Sequence, residues 1–236
     1  LDAWSFDWTP NNIGPNPREV FENTAPRYLD PYRRQKYTLP HLIAEFRQED
    51  SIRIEVAYAL PEDKLALSED SDHTTLDAGL FLFSEDWQTA RRETQNIVLK
   101  APRKDRQTNR RDYALQHQTV YSQPGAYHLI GEMIDLNSKS IGAFSAHRTF
   151  AFPDSGLSVS DLLPAFRIQS LKPFPESRAD LNITPNPIRT YTREQPVFVY
   201  LELYNLDRDA FGRTRFTIAY RLGLPNQADI DPALFD

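Results

Sequence analysis

Between His41 and Pro153 apolar residues recur at every second position, and this alternation constrains the fold more than any other feature of the chain. The segment 52–60 is the clearest case, with Ile, Ile, Val, Tyr and Leu at its even-numbered positions. A period of two is the geometry of a strand with one buried face. The alternation predicts about seven strands, at 41–46, 52–60, 76–82, 97–99, 113–121, 127–134 and 144–152.

Short strands separated by turn-rich segments such as Gln123-Pro124-Gly125 are typical of antiparallel sandwiches. We therefore predict an all-β protein in which residues 41–155 form an immunoglobulin-like or fibronectin-like β-sandwich. Its strands are expected to be antiparallel, as in other sandwiches built from short consecutive strands.

Residues 156–236 carry a second strand set, predicted at 183–192, 197–203 and 216–222, with one helical turn at Val159–Phe166. Apolar side chains occupy both faces of the segment 198–204, which indicates a strand buried on both sides. Three strands make a poor independent sandwich. We therefore expect a partial β-unit that either continues beyond Asp236 or borrows a partner sheet.

Residues 1–40 show neither the period of a strand nor that of a helix, and they are rich in proline, so they predict an extended N-terminal arm. Three aromatic residues near its start, Trp4, Phe6 and Trp8, must pack on an apolar surface. That surface belongs to the chain's own sandwich, to a preceding domain or to another subunit. A chain that begins with Leu1 and has a single methionine, Met133, is expected to be a processed product or a fragment.

Charge and composition disfavour several classes of protein. The chain has 236 residues, a net charge of -6 at pH 7 and a pI of about 5.4, which disfavours a nucleic-acid-binding role for the whole chain. No apolar run approaches the roughly 18 residues of a transmembrane helix. The absence of cysteine excludes disulfides, thiolate zinc sites and cysteine nucleophiles.

No catalytic or cofactor motif emerges from the sequence. The stretch 156–160 lacks the final glycine of the nucleophile elbow G-x-S-x-G, and no glycine-rich phosphate loop occurs. His117 and His128 lie on consecutive predicted strands and are expected to meet across a hairpin, as surface residues rather than metal ligands. We predict no enzymatic activity, no metal and no cofactor, with a hydrolase as the least favoured alternative.

Two charged loops and one tryptophan are candidate interaction sites. The acidic loop 62–72 contains Glu62, Asp63, Glu69, Asp70 and Asp72, but it lacks the spacing of a calcium-binding EF-hand. The basic loop consists of Lys100, Arg103, Lys104, Arg106, Arg110 and Arg111. The basic loop is expected either to be solvated or to bind an anionic partner, such as the acidic loop of a second subunit. Trp87 is the best candidate for stacking on a sugar, unless it folds back onto the sandwich.

Three segments resemble a known family. The segments GLSVSDLLPAF (156–166), ITPNPIRTY (183–191) and VYLELYNL (199–206) are similar to the C-terminal half of the bacterial GWxTD domain-containing proteins. The resemblance covers roughly residues 40–222, and the GWxTD motif itself does not occur in this chain. It implies an exported protein of the periplasm or cell surface, lipid-anchored through a part that precedes Leu1, and it carries over no catalytic residue.

We therefore expect a non-enzymatic exported bacterial protein with a structural or protein-interaction role. Its partner would be a second copy of the chain or a component of the cell envelope, bound through the arm or through an open sheet edge. The alternative is a carbohydrate-binding β-sandwich module, in which Trp87 would contact the glycan.

Overall fold

The structure is a computed structural model, and it describes residues 36–65, 73–100, 113–153 and 155–219. Nearly all regular structure in these ranges is β-strand, which confirms the predicted all-β fold. Two short 3-10 turns, Glu62–Lys64 and Arg178–Asp180, are the helical elements of the described residues. In the same ranges no helix has the length and apolarity needed to cross a membrane.

Eight strands form the sandwich within the described ranges. Their bounds are β1 Lys36–Thr38, β2 His41–Gln48, β3 Ser51–Pro61, β4 His73–Ser84, β5 Ala90–Lys100, β6 Tyr113–Ser122, β7 Gly125–Asp135 and β8 Ile141–Phe150. Strands β2 to β8 correspond to the seven strands that the alternation predicts. β1 lies in the region predicted as arm, and its parallel pairing with β8 places residues 36–38 in the sandwich.

The eight strands form two sheets, in the orders β1-β8-β7-β4-β5 and β2-β3-β6. β1 and β8 form a parallel pair, and all other paired strands of the two sheets are antiparallel. The orders β8-β7-β4 and β2-β3-β6 correspond to strands G-F-C and A-B-E of an immunoglobulin sandwich. Tyr127, near the start of β7, donates a 2.9 Å hydrogen bond to the carbonyl of Gln123, which is the tyrosine corner of that fold.

The main core fills the space between the two sheets. Ile54, Leu80 and Leu129 are fully buried in it, one on each of β3, β4 and β7. Packing is so close at Gly131 that an added Cβ would overlap Cε1 of Phe144 and would lie 2.7 Å from its Cδ1. Gly131 and Phe144 are cross-strand partners on β7 and β8, so the glycine leaves the space that the aromatic ring of its neighbour fills.

Residues 155–219 form a smaller β-unit on the outer face of the three-stranded sheet. Its strands are β9 Ser158–Val159, β10 Leu163–Ser170, β11 Leu181–Pro185, β12 Phe198–Tyr200 and β13 Leu203–Tyr204. β10 lies between β11 and β12, and β9 pairs with β13. A second core, built from Phe46, Ala57 and Leu163, joins this unit to β2 and β3. β3 is consequently buried on both of its faces.

Several predictions for this region differ from the structure. The strand predicted at 183–192 ends at Pro185, and the one predicted at 197–203 is divided between β12 and β13. The helical turn predicted at Val159–Phe166 is wrong, because β9 and β10 occupy the segment and Leu163 and Ala165 alternate inward with a period of two. The prediction that the segment 198–204 is buried on both sides is also wrong, since Val199 is 47% exposed. Residues 216–219 of the third predicted strand belong to no strand, and residues 220–222 lie outside the described residues.

Candidate functional site

Two charged residues of β3, Arg53 and Glu55, lie on its outer face beneath the C-terminal β-unit. Their side chains are 10% and 3% exposed. Nε of Arg53 donates to Glu55 at 3.1 Å, and the terminal nitrogens donate to Gln48 at 3.1 Å and to Glu202 at 2.6 Å. A buried charge is tolerated only when it is paired and hydrogen-bonded. These three acceptors therefore explain how a central strand accommodates an arginine.

Glu202, between β12 and β13, receives hydrogen bonds from two tyrosines as well as from Arg53. The hydroxyls of Tyr200 and Tyr204 donate to its carboxylate at 2.6 and 2.7 Å. Burial and these hydrogen bonds raise the pKa of both tyrosines. Both phenols therefore stay protonated and remain donors at physiological pH. The main chain of Glu202 also exchanges two 2.9 Å hydrogen bonds with Ser160, one to its hydroxyl and one from its N–H.

Glu55 connects β3 to the other end of the C-terminal unit. Its carboxylate lies 3.1 Å from the guanidinium of Arg178 and 3.2 Å from Nε2 of His117. Burial by itself would raise the pKa of Glu55, but the contacts with His117 and Arg178 outweigh burial and lower the pKa to about 2. Glu55 is therefore an anion throughout the physiological range and cannot serve as a general acid there.

The free edge of β2 is covered by side chains of the C-terminal unit. The N–H of Glu45 donates to the carboxylate of Asp161 at 3.2 Å, and the N–H of Arg47 donates to the hydroxyl of Tyr204 at 2.8 Å. Asn205 accepts a 3.1 Å hydrogen bond from the Arg47 guanidinium. Side chains thus satisfy edge groups that would otherwise attract another strand.

We name the set Arg53, Glu55, Arg178 and Glu202 the charged junction. Above it lies an open groove of about 1130 Å³, with β3 and β6 on one wall and residues 175–183 on the other. Tyr121 of β6 is 50% exposed where it lines this groove. Within the described ranges no three His, Asp or Glu side chains are placed to hold a metal ion. The charged junction joins the two β-units, and its members already pair with one another.

One titratable group of β2, Glu45, makes stability depend on pH. Oε2 of Glu45 is buried without a hydrogen-bond partner among the described residues. Burial first, and then the charge of Asp161, raise the pKa of Glu45 to about 7 against a partial opposing effect of Arg148. Because the folded-state pKa exceeds the ordinary value of 4.5, ionisation of Glu45 costs the folded state stability as the pH rises through 7.

We expect Glu45→Gln to remove this pH dependence. The full shift of the Glu45 pKa from 4.5 to about 7 is worth about 3 kcal/mol at 1.36 kcal/mol per pKa unit. Because Glu45 is only half-buried, solvent screens part of this, and between pH 5 and pH 8 the unchanged chain should lose about 2 kcal/mol of unfolding free energy that the variant retains. Urea unfolding of both chains at the two pH values measures the difference. Glu55 is already ionised throughout this range, so it cancels in the comparison. Identical pH profiles for the two chains would assign the dependence to other groups.

A second surface is apolar, and it lies on the outward side of the C-terminal unit. Ser158, Ser160 and Leu163 point toward the sandwich and are nearly or fully buried. Because successive strand residues face opposite sides of a sheet, the sequence neighbours of these buried residues point away from the sandwich. The outward residues, which we call the apolar face, are Leu157, Val159, Pro164, Val197 and Val199. Four of these are between 47% and 65% exposed, so apolar side chains face water on the outward side while Ser158 and Ser160 are buried on the inward side.

Trp87 folds back onto the outer face of the five-stranded sheet. Its ring stacks on His128 with the ring centroids 4.5 Å apart and packs against Phe83 at 5.6 Å. Part of the ring stays exposed. Of the two predicted alternatives for Trp87, the structure shows packing on the sandwich, and sugar stacking stays a prediction.

The remaining predicted site residues are only partly within the described ranges. Lys100 is exposed at the end of β5, and Glu62 and Asp63 form the 3-10 turn that follows β3. The other members of the arm and loop sites lie outside the described residues: Trp4, Phe6, Trp8, Glu69, Asp70, Asp72, Arg103, Lys104, Arg106, Arg110 and Arg111.

The predicted meeting of His117 and His128 is wrong. β6 and β7 are consecutive in the chain, but they belong to different sheets, so the turn between them crosses the sandwich. His117 contacts Glu55 in the charged junction. His128 lies on the opposite side of the molecule, with its ring centroid 4.7 Å from that of His147.

Sequence reasoning did not single out the charged junction. A signal was nevertheless present, because Arg53 and Glu55 have opposite charges two positions apart on one face of an otherwise apolar strand. Their partners Arg178 and Glu202 follow about 120 to 150 residues later, and only the fold brings them together.

Comparison with known protein families finds no family that matches this chain. Comparison with curated proteins finds no match either.

Proposed function

We propose that this chain is a non-enzymatic protein-interaction module of the bacterial cell envelope that associates with a second copy of itself through the apolar face. The apolar face is the observation that carries the proposal. The proposed export and envelope location of the chain rest on the resemblance of segments 156–166, 183–191 and 199–206 to GWxTD domain-containing proteins.

The distribution of exposed apolar residues supports this surface over the rest of the molecule. Among the described residues, three exposed large apolar side chains lie in the sandwich and ten lie between Leu157 and Ile218. Scattered exposed apolar residues are normal, whereas a concentration of them marks an interaction surface. Four of the ten, Leu157, Val159, Val197 and Val199, belong to the apolar face. The C-terminal unit is therefore the favoured side for a partner.

A second copy of the chain is the occupant that this chemistry favours. The five residues of the apolar face include no charged or hydrogen-bonding side chain, so the partner surface must be apolar as well. A two-fold dimer supplies such a surface, because each copy presents the same patch to the other.

We expect charge on the apolar face to weaken association. Val159→Lys or Val199→Lys should raise the dissociation constant of the dimer at least about tenfold, because desolvating an unpaired ammonium costs more than roughly 1.4 kcal/mol. Light scattering over a range of protein concentrations measures the mass. Val98→Lys is the matched control, since Val98 is 64% exposed on β5, and this variant should associate like the unchanged chain.

Other outcomes of this experiment point to other surfaces. Association that disappears in high salt would implicate the charged loops rather than an apolar contact. Association that is lost when Trp4, Phe6 and Trp8 are replaced by alanine would implicate the arm. A chain that stays monomeric at its highest soluble concentration would contradict the proposal. It would favour the carbohydrate-binding alternative, for which a glycan array and a Trp87→Ala variant are the next test.

A further inference from the structure

A tight chain reversal follows the last strand of the C-terminal unit. The N–H of Asp209 donates to the carbonyl of Arg213, and the N–H of Gly212 donates to the carbonyl of Asp209, each at 2.9 Å. The Asp209 carboxylate also accepts from the N–H groups of Phe211 and Arg213 at 2.8 and 3.0 Å. Gly212 has a φ of 75°, which suits glycine. This turn is thus held by its own hydrogen bonds.

The segment after the turn, residues 214–219, has the pattern of a strand and no strand partner in the described ranges. Phe216 and Ile218 alternate with Arg215 and Thr217, and the two apolar residues are 50% and 55% exposed. We call this segment the C-terminal limb. A strand-patterned segment outside a sheet leaves its backbone groups available for pairing.

An open sheet edge is present in the same unit. β12 pairs with β10 alone, and β13 pairs with β9 alone, so each has one free edge among the described residues. Asn205 ends β13 with a φ of 57°, and its amide nitrogen is held by the carbonyls of Pro153 and Gly156 at 3.1 and 3.0 Å. This anchored bend ends β13, and residues 214–219 form no strand with the edge of their own chain in the structure.

We infer that the C-terminal limb of one copy adds as a strand to the free edge of β12 and β13 in a second copy. The inference rests on the proposed function, because it specifies which segment the second copy contributes. Strand addition pairs the backbone of the limb and of the edge. It also places Phe216 and Ile218 beside Val199, which extends the apolar face across the interface. Exchange of a terminal segment between identical chains is a common route to dimers.

Engineered cysteines test the inference cleanly, because the natural chain contains none. One variant carries Ile218→Cys, and two others carry Val199→Cys or Leu203→Cys, which sample both parts of the edge. Mixing Ile218→Cys with either edge variant under mild oxidation should give a disulfide-linked dimer of the two different chains, since cross-strand Cβ atoms lie within disulfide range. The yield of this mixed dimer should be at least about ten times the yield from Ile218→Cys mixed with Val98→Cys, which is the control.

The outcomes separate this inference from the proposed function. A double variant with Val199→Cys and Ile218→Cys that gives mainly cross-linked monomer would overturn the inference, because the limb would then pair within its own chain. Association by light scattering with no mixed disulfide at either edge position would also overturn it, while the apolar face would remain the interface. If the unchanged chains do not associate at all, both the inference and the proposed function fail.

Discussion

Replacing Glu55 by glutamine is expected to lower the free energy of unfolding by about 3 kcal/mol at pH 7. The carboxylate is 3% exposed and lies within 3.2 Å of Arg53, Arg178 and His117. Glutamine keeps the shape but removes the anion that pairs with Arg178 and leaves Arg53 with Glu202 as its remaining carboxylate partner. Removing one partner of a buried ion pair costs roughly 3–5 kcal/mol. Urea unfolding at pH 7 gives the value directly.

The matched control is Glu176→Gln. Glu176 pairs with Lys172 at 3.4 Å, but the two side chains are 84% and 40% exposed, so the same substitution should cost less than about 0.5 kcal/mol. The pH profile provides a second readout. Because the folded-state pKa of Glu55 is about 2, its contribution is present above 4.5 and is lost as the pH falls toward 2. Equal costs for Glu55→Gln and Glu176→Gln would mean that the charged junction does not stabilise the fold.

Replacing Gly131 by alanine is expected to cost about 3 kcal/mol, at the upper end of the usual range for overpacking a core. The new Cβ would overlap the Phe144 ring, and both residues lie in the main core between two sheets. Phe144 cannot move aside easily, because its ring also stacks on His41 at 3.9 Å and packs against Tyr58 at 5.7 Å. Urea unfolding of the variant measures the cost.

A double-mutant cycle identifies the clash as the cause. Phe144→Leu alone removes part of the ring, and the double variant Gly131→Ala with Phe144→Leu should be more stable than the sum of the single effects by about 1–2 kcal/mol. Strictly additive effects would show that Gly131 is required for its backbone conformation rather than for the space that it leaves to the ring.

The positions of strands β2 to β8 were predictable because alternation is a local property, whereas β1 lies in the segment predicted as an arm. β4 and β7 show their buried faces by their own composition, without knowledge of their partners. The assignment of strands to sheets is not local in this sense. The turn 123–125 looks like a hairpin, yet it joins two sheets, and for that reason His117 and His128 lie apart.

The candidate sites were predictable only in part. The segments 156–166 and 199–206 carry the family resemblance, and the structure places Ser160, Asp161 and Glu202 from them in the contact between the two β-units. Their roles could not be predicted, because each partner lies on β2 or β3, more than 100 residues earlier in the chain. The apolar residues of 198–204 were predicted to be buried on both sides, whereas the described structure covers only one side.

The sequence by itself determined the strand pattern, the all-β class and the absence of cysteine chemistry, because periodicity and composition require no knowledge of distant contacts. Tertiary structure alone decided three further properties. It buried Arg53 and Glu55 under a second β-unit, it closed the edge of β2 with Asp161 and Tyr204, and it left Val159 and Val199 facing water. Each of these properties depends on which surfaces come into contact when distant segments pack, and local alternation does not specify those contacts.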